Sequence, residues 1–503
     1  IGAGPTLLES TTSSLSLNTL MIFNQAATSN LTIRAAQDIL LNTPITATDG
    51  DVSVSMIADS TSDGAGTITL NAPVTTRGGA IDLKASSGIL LNGEILDTTG
   101  GAMAGAITLI NASSGDIIAT AGATMSTDRG DISVTNNAAT GGRVSLRDLT
   151  GGAVTVVNNA TDVAAGQNAI TLNRPVTGNG LIRISSMTGD ILVDGNITNA
   201  GMPVNMVASE ADTGTGAIKI NAPITTAGGA ISLTANSGIT LNDAALDTSG
   251  PAAGAVTLTN KKTGDINALA QGTINAGNGA IDVINNAVSG GRIALQDLAG
   301  GAITIASNTP GMAGQDAVTL NGEVSGSGSV TVTSQTGDIE IKQDISSTAE
   351  NNTSAIIVGA GTTSAAQDIT GGDVKLTGTG RLVVRGSSRA IIYTGSVMGT
   401  TGVGVGMPGD PGKGNYRYNV AFQDTSRSVD STGTYVQYRE QPTLVITVPP
   451  KNKVYDGVAF DPLGWNDFSA TGWQHDDDEG ANPLTGSAAL NNSTTAQAKD
   501  VRD

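Results

Sequence analysis

Short alternating triplets punctuate the chain: Ile68-Thr69-Leu70, Ile81-Asp82-Leu83, Ile107-Thr108-Leu109, Val144-Ser145-Leu146 and Ile170-Thr171-Leu172. In each, two aliphatic residues flank a polar one, and the two-residue period of an extended strand places both aliphatics on one face. Between triplets stand Gly-Gly, Gly-Asp, Asn-Gly or Leu-Asn, pairs that tolerate left-handed turn conformations. No stretch holds a 3.6-residue period without glycine interruption, so helices are not expected. Triplets recur at roughly 8 to 18 residues, and two strands per coil of about 20 to 22 residues make the repeating unit of a β-solenoid. At about 4.8 Å per coil, some 17 to 18 coils predict a rod of roughly 80 Å.

A longer repeat lies over this beat. Ala72-Pro73-Val74-Thr75-Thr76 with Gly78-Gly79-Ala80-Ile81 returns as Ala222-Pro223-Ile224-Thr225-Thr226 with Gly228-Gly229-Ala230-Ile231. Gly142-Arg143-Val144-Ser145-Leu146 returns as Gly291-Arg292-Ile293-Ala294-Leu295, and Gly166-Gln167 as Gly314-Gln315. The offset drifts from 150 to 149 to 148 residues, which deletions in turns explain while the strands stay in register.

Composition supports a thin core. The 503 residues include 67 glycines, no cysteine, and only 2 Trp, 6 Tyr and 4 Phe. Val, Ile, Leu and Ala therefore fill the interior, which suits a narrow column better than a broad globular core. A formal net charge of −19 disfavours nucleic acid and anionic lipid as partners. No apolar run is long enough to span a bilayer, so membrane insertion is not expected. The missing cysteines exclude a disulfide scaffold and a thiolate metal site. The first residues, Ile1-Gly2-Ala3-Gly4-Pro5, carry neither an initiator Met nor a signal sequence, and an internal fragment of a larger protein is expected.

The aromatics are confined to one end: Phe23 is the only one before Tyr393. The expected organisation is a right-handed parallel β-helix over 1–390, an aromatic-bearing cap over 391–443 reached through the Gly-rich stretch 400–414, and a truncated small β-sandwich-like module over 444–503.

The Gly-Asp-Ile and Ala-Ile-Thr-Leu-Asn coils over roughly 30–390 resemble the filamentous-haemagglutinin-type shaft of two-partner secretion exoproteins. Lys453-Val454-Tyr455-Asp456-Gly457 resembles the YDG/MBG-type modules that follow such shafts, with biofilm matrix adhesins of the CdrA type as the nearest comparison. The resemblance implies a secreted structural fibre at the bacterial cell surface and export through a dedicated outer-membrane transporter. It also implies adhesion to exopolysaccharide or to a cell-surface glycan or protein. The family's amino-terminal secretion domain, with its Asn-Pro-Asn motifs, is not in this sequence.

No catalytic residue and no cofactor is expected. The alternative is a carbohydrate-active β-helix enzyme, a polysaccharide lyase or hydrolase, which needs paired carboxylates or a carboxylate with a basic partner. Asp148 with Arg147 and Arg143, and Asp297 with Arg292, offer such charges, but Gln296 replaces Arg147 in the second copy. Arg129-Gly130-Asp131 has the sequence of an integrin ligand. Gly-Asp before a β-branched residue is nevertheless a turn-to-strand formula used throughout, as at Gly115-Asp116-Ile117 and Gly264-Asp265-Ile266. His475 beside Asp476, Asp477 and Asp478 makes Ca²⁺ the one metal worth considering. An ice-binding ladder would need regular Thr-x-Thr positions, which Asp82, Ser145, Lys219 and Ser232 interrupt. For sugar contact, Tyr416, Tyr418, Tyr435, Tyr438, Trp465 and Trp473 are the candidates, since aromatic rings stack on pyranose faces.

Overall fold

The computed structural model describes residues 4–102, 104–139, 141–211, 214–403, 411, 415–424, 432–447 and 469–475. Among the described residues every regular element is a β-strand, and no helix is long and apolar enough to cross a membrane. Three parallel sheets of 18, 15 and 15 strands form a β-solenoid. Each full coil visits all three in turn, as in Ile81–Ala85, Ile89–Leu91 and Ile95–Asp97. These faces are named here sheets 1, 2 and 3.

The coil thus carries three strands, not two, and is longer than its sequence beat suggested. Val134, Val156, Ile184 and Met206 occupy successive rungs of sheet 1 at intervals of 22 to 28 residues. Fourteen steps between fifteen strands, at about 4.8 Å each, make a stack of about 67 Å, shorter than the expected rod.

Inward positions behave as the alternation requires. Strands of sheet 1 such as Ile107–Asn111 and Ile281–Asn285 bury their first, third and fifth residues. The aliphatic side chains from all three sheets join in one continuous core running from Leu17 to Tyr438. Polar residues that face inward stand at the corners, where they satisfy the turning backbone. Asn111 donates to Asn136 at 3.0 Å and Asn260 to Asn285 at 2.9 Å, each also holding turn carbonyls. At the corner from sheet 3 to sheet 1, buried Thr76 and Thr98 donate to Gly79 and Gly105 at 2.6 and 2.7 Å.

The Gly-Asp formula has a structural role between coils. The carboxylate ahead of a sheet 2 strand accepts the backbone N–H that precedes the next such strand. Asp116 takes Arg143 at 2.7 Å, Asp190 takes Ala217 at 2.9 Å, Asp265 takes Arg292 at 2.9 Å, and Asp338 takes Asp373 at 2.8 Å. A carboxylate accepting a backbone amide is a charge-assisted bond and fixes the register of adjoining coils.

Asp38 does the same for Thr67. Burial pushes its carboxyl up, but the Thr67 amide at 2.9 Å, the Thr67 hydroxyl at 2.8 Å and Ser14 outweigh it, and the pKa lies below the ordinary value. Burial also raises Asp59, but hydrogen bonds from Ser86, Gly64 and Asp63 together outweigh it, with the same net direction. Both folded-state values lie below the unfolded ones. Their stabilisation is therefore full above the ordinary aspartate pKa of about 3.9 and fades as pH falls through the depressed values. We expect Asp38→Asn with Asp59→Asn to lower the melting temperature at neutral pH, and the difference from the parent to shrink as pH falls below the ordinary aspartate value.

At the C-terminal end sheet 1 continues alone. Arg389–Thr394 pairs in parallel with Gly433–Tyr438, which pairs in parallel with Tyr416–Tyr418, so the chain skips one rung and returns to fill it. Phe422 folds back over the outer face, meeting Tyr393 edge-on at a ring separation of 5.0 Å and resting where a side chain on Gly359 would stand. Arg439, 1% exposed, donates Nε to Asp368 at 2.8 Å, Nη2 to Gly372 at 2.7 Å and Nη1 to Ala360, all backbone carbonyls. Beyond it, Val445–Thr447 and Ser469–Thr471 form a small antiparallel pair. Most of the module expected over 444–503, including Lys453 to Gly457, lies outside the described residues.

Candidate functional site

The aromatic end converges on a ladder of rings. Tyr416 and Tyr418 alternate with Arg417 along the edge strand, so both rings project to the same side, and Tyr438 lies on the neighbouring strand in register with Tyr418. His475, just after Ser469–Thr471, stacks on Tyr416 with ring centroids 4.0 Å apart and planes 6° apart. Tyr418 lies parallel to Tyr438 at 5.5 Å, and the Tyr438 hydroxyl meets His475 Nε2 at 3.0 Å. Burial raises the Tyr438 hydroxyl pKa, and the neighbouring tyrosines add to the rise.

In front of this ladder is an open cleft of about 430 Å³ lined by Tyr416, Tyr418, Asn419, Pro442, Leu444, Trp473 and Gln474 among others. Of the six aromatics singled out in the sequence, Tyr416, Tyr418 and Trp473 line it. Tyr438 is fully buried behind the first two and packs the end of the column, while Tyr435, three residues earlier on the same strand, is buried on the opposite face of the sheet. Trp465 lies outside the described residues, as do Asp476, Asp477 and Asp478, so the Ca²⁺ reading touches the described structure only at His475. Sequence reasoning missed Pro442 and Leu444, which carry no local pattern that would mark them, and singled out His475 for a metal rather than for ring stacking.

A second concavity, of about 480 Å³, opens on sheet 2. Lys375 sits between Asp338 at 2.7 Å and Asp316 at 2.9 Å, and Arg292 donates to Gln315 at 2.8 Å. Burial lowers the Lys375 pKa, but the hydrogen bonds the ammonium donates to both carboxylates, with their charges, outweigh it and hold the pKa above its ordinary value. Asp265 and Asn267 complete the lining.

The chain matches no protein-family model, no curated protein and no solved structure. Function therefore has to be argued from these two surfaces.

Of the charges first paired in sequence, Arg292 lines the groove, but Asp148 and Asp297 do not join their arginines. Asp148 occupies a turn at φ 27°, with its carbonyl accepting the Met125 amide, while Arg143 reaches Gln167 at 3.3 Å on the other side of the strand. Asp297 likewise caps the Glu323 amide at 2.8 Å, away from Arg292. In Arg129-Gly130-Asp131, Asp131 accepts the Ala153 amide at 2.9 Å, and a Cβ on Gly130 would collide with the Gly105 carbonyl. That geometry is a coil-to-coil clamp. The interruptions to a threonine ladder also fall on different faces, Asp82 and Ser232 on sheet 1, Ser145 and Lys219 on sheet 2. Arg183 and Asp282 still break the outer row of sheet 1.

Proposed function

We propose that this chain is the shaft of a secreted adhesin fibre at a bacterial surface, holding an aromatic carbohydrate-binding cleft at its distal end. The observation that carries the reading is the placement of Tyr416, Tyr418 and Trp473 around one open cleft at the end of an uninterrupted aliphatic column. Such a column is a spacer, since each coil is stabilised only by its neighbours and length can be added without redesigning the core. The ligand that suits the cleft is a matrix exopolysaccharide or cell-surface glycan, held by ring stacking with Asn419 and Gln474 supplying hydrogen bonds. The resemblance to two-partner secretion exoproteins supports the same reading and supplies the export route through an outer-membrane transporter.

The test is retention of the protein on immobilised polysaccharides from bacterial matrices. Trp473→Ala or Tyr418→Ala should weaken retention about tenfold, the loss expected from one aromatic contact of about 1 kcal/mol or slightly more. Unchanged binding in both variants would remove the cleft from the reading.

A second reading, a polysaccharide lyase or hydrolase, is favoured by one observation: Asp316 and Asp338 share Lys375 in an open groove. Incubation with the same polysaccharides separates the two. New reducing ends or unsaturated products, abolished by Lys375→Ala, would make the chain an enzyme.

A further inference from the structure

The set of side chains around the sheet 2 groove occurs twice. In the second long copy it is built from Asp265, Arg292, Gln315, Asp316, Asp338 and Lys375. In the first, Asp116, Arg143, Gln167, Asn168, Asp190 and Lys219 take the corresponding places. The bonds correspond as well. Asp116 and Asp265 each accept the amide of the arginine, and Arg143 and Arg292 each donate to the glutamine. Asn168 is opposite Asp190 as Asp316 is opposite Asp338. Lys219 and Lys375 each reach the second of those aspartates, at 2.8 and 2.7 Å.

This agreement is not a by-product of recent duplication. Around it the copies have diverged, with Arg147 against Gln296, Ser145 against Ala294 and Asp131 against Ala280. The lysine is the clearest case. Between the strand of Asp190 and that of Lys219, Ile191 pairs with Ile218, whereas Ile339 pairs with Val374, so the second copy has inserted eight residues there. A lysine nevertheless stands at the central outward position of the next sheet 2 strand in both.

We infer that these are two equivalent lateral binding sites for one linear, neutral glycan running along the rod. Carboxylates and amides accept and donate to vicinal hydroxyls, and the guanidinium and ammonium groups donate to ring and hydroxyl oxygens. Three carboxylates against two cations in the second site, on a chain of net charge −19, turn away an acidic polymer. The sites lie six coils apart in the order of sheet 2, about 29 Å along the axis at about 4.8 Å per coil. One polymer can therefore engage both. The inference rests on the carbohydrate-binding reading and adds sites distinct from the terminal cleft.

The experiment uses the whole chain in a combined Trp473→Ala and Tyr418→Ala background, which removes both aromatic contacts tested at the terminal cleft. Short oligomers of mannan, dextran and xylan are titrated calorimetrically, with polygalacturonate oligomers alongside. Arg143→Ala with Gln167→Ala removes the first site, and Arg292→Ala with Gln315→Ala the second. These side chains bond to each other, and the aspartate clamps hold the arginine backbone, so the coils keep their register; Arg143→Gln and Arg292→Gln provide a milder pair, checked by circular dichroism. A neutral oligomer should bind at two per chain, at one per chain in either variant, and not at all when both are combined. Affinity for the long polymer should fall about a hundredfold when either site is lost, because simultaneous engagement disappears. If all groove variants bind as their parent does, the lateral sites are refuted while the terminal cleft stands. If the unmutated chain retains no polysaccharide at all, both readings fall. Preference for polygalacturonate overturns the neutral ligand.

Discussion

Leu258→Asp should break the rod in its middle while leaving both ends folded. Leu258 is fully buried in the strand Val256–Asn260, between Leu233 and Val283 on the adjoining rungs. An aspartate there has only aliphatic neighbours along the column, and an unpaired buried charge costs about 3 to 5 kcal/mol. Leu258→Ala, which leaves only a cavity, should cost about 2 to 5 kcal/mol and serves as the comparison. Because coils contact only their neighbours, the loss should be local. Hydrogen exchange followed by mass spectrometry should show protection lost around residues 231–285 and kept around 29–91 and 330–360. Uniform loss along the chain would contradict stepwise stacking.

Arg439→Met should release the C-terminal end with little effect elsewhere. The guanidinium serves three backbone carbonyls, those of Ala360, Asp368 and Gly372, which border the longest excursion between a sheet 1 and a sheet 2 strand. Burial lowers its pKa, opposed by Asp373 and Asp368. Without it three buried acceptors lose a charged donor at about 1 to 3 kcal/mol each, so a loss of about 3 kcal/mol or more is expected. Arg439→Lys should recover little, since one ammonium cannot reproduce the planar fork that meets three separated carbonyls. Trypsin cleavage between residues 361 and 389 is the measurement. A variant as resistant as the parent would show that the excursion is held by other contacts.

The fold was legible where a strand is long enough to show alternation. Ile107-Thr108-Leu109 and its counterparts mark sheets 1 and 2, and the long repeat keeps them in phase. Sheet 3 left almost no trace, because strands such as Val74–Thr75, Ile224–Thr225 and Ile274–Asn275 bury a single residue each. One inward side chain has no period. The coil was consequently read as two-stranded, too short and too numerous. Asn111, Asn136 and Thr76 left no signal of their inward role, which is to hold corner carbonyls.

The candidate sites divide in the same way. Alternation puts Tyr416 and Tyr418 on one side, where both line the cleft, Tyr416 largely covered by the His475 ring. Tyr435 and Tyr438 carry the same chemistry but are buried, on a strand that lies between Arg389–Thr394 and Tyr416–Tyr418. The sheet 2 groove was invisible because Arg292, Gln315, Asp338 and Lys375 come from four successive coils.

The bonds that join one coil to the next run along the axis of the molecule, and this decides how it meets a pulling force. Tension applied at the last rung does not shear a whole sheet at once but strips rungs in sequence, a few hydrogen bonds at a time, with an Asp clamp at some of them. Each rung set free pays out the 22 to 28 residues of its coil, roughly 75 to 95 Å of extended chain at about 3.4 Å per residue. A rod of about 67 Å thus stores many times its own length, and a sudden load is met by lengthening rather than by rupture.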